Sequence, residues 1–476
     1  MGYWNHNFKD DNLNEFAKPS LREKVVYSVV EGGSASVWYF LVITFSTFFY
    51  TDVIGLSAAT IGTIVLVSRC FDGVSDFIVG VLIDRTQSEK GRTRVWVFWT
   101  SIPYATMLIV LYCVPPWSTT SQIIFVIITY NLAVTVSYTL NNIPWNTLGA
   151  VMTRNGQERD KLMAIRIAGS NFGNALVTAL ALPIVNAVGG VENQRAWIVT
   201  ALIFAMICYS LNLLAVFCIK ERVKPDPVSR KNAKYDIPAT LMNVYFWAAI
   251  GIVAAYNVFQ VATMTFMPYY ATYVLGDTMF TSIITPIQGA FIAIACLFCA
   301  YLQRRGFKKG QLIKYGAIIA LAAQIVFAIF PTNIPVLYIT TLLRGFGFGF
   351  TGATMFAFAP DAIEYGHWRT GHRAEGTTTS GSLIGNKIGV LVGSGVCTVL
   401  LGMSGYDGTV SVQSESAINM INLVFIYSPM LMAGVLIVIS FLHKMDKKYD
   451  SIMDDLENGR FHPNAKYAAP ADKTAS

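Results

Sequence analysis

The sequence predicts an all-α membrane protein: twelve transmembrane helices in two six-helix bundles, with both termini cytoplasmic. Three observations predict it. Of 476 residues, 54% are apolar and only 13% are charged, whereas soluble chains carry about 25% charged residues. The apolar residues collect in uncharged runs of about twenty, the length a helix needs to cross about 30 Å of hydrocarbon. The 35 basic residues lie almost entirely on one side of those runs. Together these exclude a soluble enzyme, a secreted disulfide scaffold and a nucleic-acid binder.

Residues 1–24 are polar, without an apolar core or a small-residue cleavage site, and read as a cytoplasmic segment rather than a signal peptide. The twelve runs are 25–50, 56–83, 96–114, 120–148, 162–188, 196–219, 240–275, 279–303, 311–330, 334–358, 377–402 and 418–442. The tenth carries Gly345, Gly347, Gly349 and Gly352, which suit close helix contact or bending. All seven cysteines fall inside runs, and Cys296 with Cys299 reads as a pair of small packing residues rather than a redox or zinc motif.

Charge orients the bundle. Thirty basic residues sit in the termini and in or at the edges of loops after even-numbered runs, Arg195 on the opposite face, and four inside runs. This is the positive-inside pattern, and a basic face beside anionic lipid accounts for the net charge of +7. The loop Lys220–Asp236, with six basic residues and Pro225 and Pro227, divides the chain. A first bundle spans 25–219, a linker 220–239, a second bundle 240–442 and a polar tail 443–476. A basic loop follows the second run of each half, at 84–94 and 304–310. Two such halves are the layout of a rocking-bundle secondary transporter.

An ionisable group at mid-membrane costs at least ~2.5 kcal/mol, so each one marks a functional position. The acids well inside runs are Glu31, Asp72 and Asp76; the bases are Arg69, Arg166, Arg344 and Lys387; no histidine is among them. Arg69, Asp72 and Asp76 fall within about 60° of one helix face. Paired carboxylates there suit a sodium ion, or a proton shared because adjacent anions resist ionising together. An interhelix lock through Arg69 is the competing reading. The fourth run carries Tyr138, Asn141, Asn142 and Trp145, flanked by Thr139 and Asn146. Amides beside rings suit a sugar, whose hydroxyls need partners and whose C–H face needs a ring. Arg166 reads either as a site residue or as a cation reaching the cytoplasmic interface. Lys387 needs an acid, and Asp72 or Asp76 is its candidate.

Several stretches form a recognisable set. The second run and its loop read Arg69-Cys70-Phe71-Asp72-Gly73-Val74-Ser75-Asp76, then Gly80, Asp84-Arg85-Thr86 and Gly91-Arg92-Thr93-Arg94. Tyr50-Thr51-Asp52-Val53-Ile54-Gly55-Leu56, Asn142-Ile143-Pro144-Trp145 and Glu364-Tyr365-Gly366, with Arg373 and Glu375-Gly376, complete it. The set resembles the glycoside–pentoside–hexuronide:cation symporters, the family of the melibiose and glucuronide permeases.

That resemblance implies a major facilitator fold with alternating access. It places a cation at Asp72, Asp76, Ser75 and Thr139, Lys387 beside it, and Arg166 near the sugar. With Glu31, Tyr138, Asn142, Trp145 and Asn146 these make up the implied substrate site. Arg69, Asp84, Arg92, Arg94, Asp361, Glu364 and Arg373 are the implied gating network. Ser34, Ala35 and Asn142 stand where the melibiose type has a lysine and two aspartates, which argues against an α-galactoside. The four buried bases against three acids are compatible with an anionic sugar.

The expectation is a monomeric symporter of the bacterial inner membrane. It would couple sodium or proton influx to uptake of a glycoside, pentoside or glucuronide, with no cofactor beyond the coupling ion and no partner beyond lipid and sugar. Transport of a non-sugar amphiphile and a non-transporting sensor of the same fold are the alternatives. No nucleophile–base pair or phosphate loop points to an enzyme.

Overall fold

The computed structural model describes residues 16–223 apart from 87, 89 and 154, 240–371, 384–442 apart from 411, and 445–462 apart from 459. Within its helices the side chains of several residues, Asp72, Asp84 and Arg92 among them, lie outside the description, as does all of Arg373.

Among the described residues every regular element is helical. In chain order the long helices are α1 (Leu21–Val53), α2 (Ala58–Arg85), α3 (Arg92–Val110), α4 (Thr119–Gly149), α5 (Gly156–Val188), α6 (Gln194–Cys218) and α7 (Val244–Tyr273). They continue with α8 (Phe280–Arg304), α9 (Lys309–Ile329), α10 (Ile334–Thr354), the shorter α11 (Phe358–Thr370), α12 (Ile384–Met403), α13 (Glu415–Leu442) and α14 (Met445–Glu457). Ten of them carry described stretches long and apolar enough to cross a membrane; Ala58–Arg85 and Arg92–Val110 are not among the ten. Twelve of the fourteen helices each correspond to one run of the sequence; α11, between the tenth and eleventh runs, and α14, in the polar tail, correspond to none. The first run extends further than its hydropathy suggested, through Asp52.

Local chemistry sets the ends. Ser20 and Glu23 form a reciprocal capping box on α1, while Asn155, Asn193 and Asn333 each accept a backbone N–H at the starts of α5, α6 and α10. Gly371, at φ 75°, closes α11 in the left-handed region where a Cβ would clash. Just ahead of the membrane-crossing part of α5, Glu158 accepts hydrogen bonds from Lys161 at 2.8 Å and from Lys24. These bonds hold its carboxyl well below the usual range, at about 2.

The helices gather into two compact units. The first contains α1–α6 together with Thr263–Ala290 and Ser394–Phe425; the second contains Pro227–Ala262, Phe291–Gly393 and Ile426–Ser476. In the first, α1 meets α5 at glycines: a Cβ on Gly173 would enter the Gly32 backbone, and one on Gly169 the Ser28 carbonyl. In the second, Gly316 of α9 and Gly347 of α10 meet in the same way, and Gly349 lies 2.7 Å, measured from an added Cβ, from the Ile292 carbonyl oxygen. The glycine run of α10 therefore serves close contact: the helix continues unbroken through it. Small residues do this work in membranes because lipid leaves no hydrophobic drive between helices, and close van der Waals contact replaces it. Outward rows such as Ile124, Ile128 and Leu132 on α4 remain exposed, as a lipid-facing surface requires.

Candidate functional site

The glycine contact between α1 and α5 brings Glu31 opposite Arg166. The guanidinium meets the carboxylate at two points, Nε to Oε2 at 3.0 Å and Nη2 to Oε1 at 3.1 Å. Trp145 Nε1 on α4 donates to the same carboxylate. Arg166 also donates to Asn146 Oδ1, and the Asn146 amide donates to Asn142 Oδ1 at 2.7 Å. Five residues predicted around the substrate, Glu31, Asn142, Trp145, Asn146 and Arg166, thus form one connected network across three helices. Glu31 lies in a π-helical turn, Glu31–Ala35, a distortion common where function requires an altered side-chain direction. Arg166 thus has an interior partner in Glu31.

Aromatic rings support the network. Trp145 packs on Tyr27 with centroids 5.0 Å apart. Tyr138 stacks on Trp38 at 4.6 Å, and Trp38 on Tyr104 at 5.4 Å. Asn141, from the same stripe, donates to Thr100 at 3.0 Å. With Ser34, Tyr104, Tyr138, Asn142, Trp145 and Asn212 it also borders a void of about 10 Å³, room for about one water molecule and not for a sugar ring.

Three of the four predicted cation residues meet at the contact of α2 with α4. Thr139 Oγ1 donates to Asp76 Oδ1 at 3.3 Å, and the Ser75 and Thr139 hydroxyls lie 3.5 Å apart. Those separations suit neighbouring oxygen ligands around one hard cation with bonds of about 2.4 Å. Asp72 lies on the same helix, one turn before Asp76; its side chain is outside the described residues.

Of the predicted gating residues, Arg69, Arg94, Asp361 and Glu364 have described side chains. Arg94 is buried and donates through Nε and Nη2 to the Val216 carbonyl at 3.1 and 2.6 Å. Glu221 accepts the backbone N–H groups of Thr93 and Arg94 at 2.9 and 2.7 Å, so these residues fasten the end of α6 to the start of α3. Asp361 on α11 pairs with Lys309 at 2.8 Å. Glu364 lies on α11, Arg69 half-buried on α2 and Lys387 half-buried on α12. Asp84 and Arg92 side chains, and Arg373, lie outside the described residues. Arg344 is buried, with Nη1 3.5 Å from Gln324 Oε1. Cys296 and Cys299 are free thiols.

Sequence reasoning missed Trp38, Tyr104 and Asn212, whose polar atoms or rings border the network. No charge marks them, and a buried aromatic reads as packing until its neighbours are known.

Helices of membrane length gathered into two compact units, with a charged pair buried between helices of the first, fit a major facilitator transporter. A D-xylose–proton symporter structure aligns with TM-score 0.63 at 14% identity over 90% of this chain and 98% of that one. A bacterial homologue of the human lysosomal transporter Spinster, inward-facing and unoccupied, aligns at 0.61 with 12% identity over 93% and 98%. Both likenesses concern the fold. Residues 33–447 match the family model described as MFS/sugar transport protein, and the chain belongs to that family, the glycoside–pentoside–hexuronide type its motifs resemble. It is 28% identical over 458 residues to the isoprimeverose transporter of Lactiplantibacillus pentosus, covering 93% of this chain and 92% of the relative. The inner membrane symporter YicJ of Escherichia coli (strain K12) is 26% identical over 454 residues, covering 93% and 96%. The glucuronide carrier protein homolog of the same organism is 28% identical over 424 residues, covering 86% and 90%.

Proposed function

We propose that this sugar transporter of the bacterial inner membrane is a symporter, with both termini cytoplasmic, coupling sodium or proton influx to uptake of a glycoside. The cation binds at Asp72, Asp76, Ser75 and Thr139, and the sugar against Glu31, Tyr138, Asn142, Trp145, Asn146, Arg166 and Lys387. Asp76 hydrogen-bonded to Thr139 carries the reading, because a carboxylate and hydroxyls at ligand spacing on adjacent membrane helices have no structural need that an apolar pair would not meet better. Occupancy of both sites permits the halves to rock, and the coupling is reciprocal: the factor by which cation raises sugar affinity is the factor by which sugar raises cation affinity.

The Glu31–Arg166 pair refines the substrate. With its guanidinium neutralised by a two-point partner, Arg166 presents amide-linked hydrogen bonds rather than a free charge. That favours a neutral glycoside over a glucuronide, in keeping with the isoprimeverose named for the relative from L. pentosus.

The test is uptake into proteoliposomes, with sodium and pH gradients imposed separately against a panel of neutral glycosides and glucuronides. Accumulation driven by one gradient and one sugar class supports symport. Binding without accumulation under either gradient indicates a sensor and defeats the proposal.

A further inference from the structure

We infer that Asp52, clasped by Tyr273 and Tyr406, is the latch that keeps the extracytoplasmic side of this transporter shut. The sidedness rests on the topology proposed above. Asp52 stands near the end of α1, Tyr273 ends α7 and Tyr406 follows α12, and all three belong to the first compact unit. Oδ1 of Asp52 accepts the Tyr273 hydroxyl at 2.6 Å and the Tyr406 hydroxyl at 2.8 Å. Oδ2 accepts Thr51 Oγ1 at 2.6 Å and again Tyr406 at 2.8 Å. The Thr51 hydroxyl lies 3.0 Å from that of Tyr269, also from α7. Tyr406 meets Tyr269 and Tyr273 edge-on, with centroids 5.4 and 5.6 Å apart.

The cluster closes one end of a tight seam between α2 and α12. A Cβ on Gly62 would lie 2.5 Å from the Val399 nitrogen, one on Gly395 2.9 Å from Leu66 Cα, and one on Gly402 would enter Ala59. Past the seam, the Gly408 backbone rests on Thr51. Glycine contacts allow two helices to touch but supply little pull of their own in lipid. The polar cluster supplies it. Phenol-to-carboxylate bonds are charge-assisted and roughly twice as strong as neutral ones.

The partners are neutral, and among the described residues no lysine or arginine pairs with Asp52. The attraction therefore falls away steeply once the hydroxyls separate and water reaches the carboxylate. An arginine lock would still pull at longer range. A contact strong when closed and nearly absent when open is what a gate requires that must release on every cycle. The mechanism proposed above uses neither Asp52 nor the two tyrosines.

The experiment places a Thr398→Cys reporter in the seam, where Thr398 is fully buried. Its labelling by a membrane-impermeant maleimide is followed by peptide mass spectrometry in right-side-out vesicles. Tyr273→Phe/Tyr406→Phe keeps the packed rings and removes the hydroxyls; Asp52→Asn removes the charge. Each is expected to raise the labelling rate from outside by about tenfold or more, as the closed population falls. Thermal unfolding of each variant within a few degrees of the parent shows that the fold is retained. Labelling within about twofold of the parent in both folded variants overturns the latch. Labelling only from the cytoplasmic side overturns it as well. Because no sugar or ion gradient enters the assay, its result is independent of whether the symport reading survives.

Discussion

Glu31 and Arg166 meet through two nitrogen–oxygen contacts of 3.0 and 3.1 Å, on helices held together by glycines. The glycines determine that distance. A methyl group at Gly32 or Gly173 would push α1 from α5, and the ion pair would open before any charged residue changed. Packing and chemistry are therefore coupled in the network, and the predictions below separate them.

Removing one partner of the pair leaves the other charge buried and unpaired. Glu31→Gln and Arg166→Gln are each expected to destabilise the protein by about 3–5 kcal/mol. The double variant should fall well short of their sum, since contacting residues couple. Thermal unfolding in detergent across the four-member cycle checks it; strict additivity would show that the pair is not coupled.

Gly173→Ala tests the contact that positions the pair. Its methyl has no room against the Gly32 backbone, and overpacking of this kind costs about 1–3 kcal/mol or more. Sugar binding should weaken along with stability, whereas Gly434→Ala, whose methyl meets nothing within 4 Å, should change neither.

At the cation residues the two hydroxyl contacts predict graded effects. Thr139→Ala should weaken cation activation of uptake by about fivefold to tenfold, the loss of roughly one oxygen contact. Asp76→Cys should abolish uphill accumulation while leaving sugar exchange measurable. Full concentrative uptake by Asp76→Cys would remove that carboxylate from coupling.

Glu158 predicts a pH dependence outside the membrane. Its carboxyl is held at about 2 by Lys161 and Lys24, below the unfolded value of about 4.3. A depressed acid contributes stability that is present above the unfolded value and lost as pH falls through the folded one. The acid sensitivity of unfolding should thus steepen between about pH 4.3 and pH 2, and Glu158→Gln should flatten that window. An unchanged profile would show that the two lysines do not act through this carboxylate.

Much of the protein was legible in its residues. Uncharged runs of membrane length specify helices whatever their neighbours, because the bilayer core leaves backbone groups no partner but their own helix. Asp72, Asp76 and Glu31 stood out as candidates because a charge in such a run is costly. Their partners stood out less. Asp52 was read only as part of a motif and given no role, because it follows the last residue of its run and resembles a loop acid. Its helix continues past it, and its hydrogen-bond donors lie 221 and 354 residues further on.

By itself the sequence determined the helical class, the number of runs and the family, all of which depend on local hydropathy and short motifs. Only the tertiary structure decided that Arg166 answers Glu31, that Asn141 donates to Thr100, and that two tyrosines enclose Asp52. The physical reason is that hydropathy is a property of each segment, whereas the partner of a buried charge depends on which helices approach closely enough. Glycines set that approach, and their effect appears only when two helices are in contact.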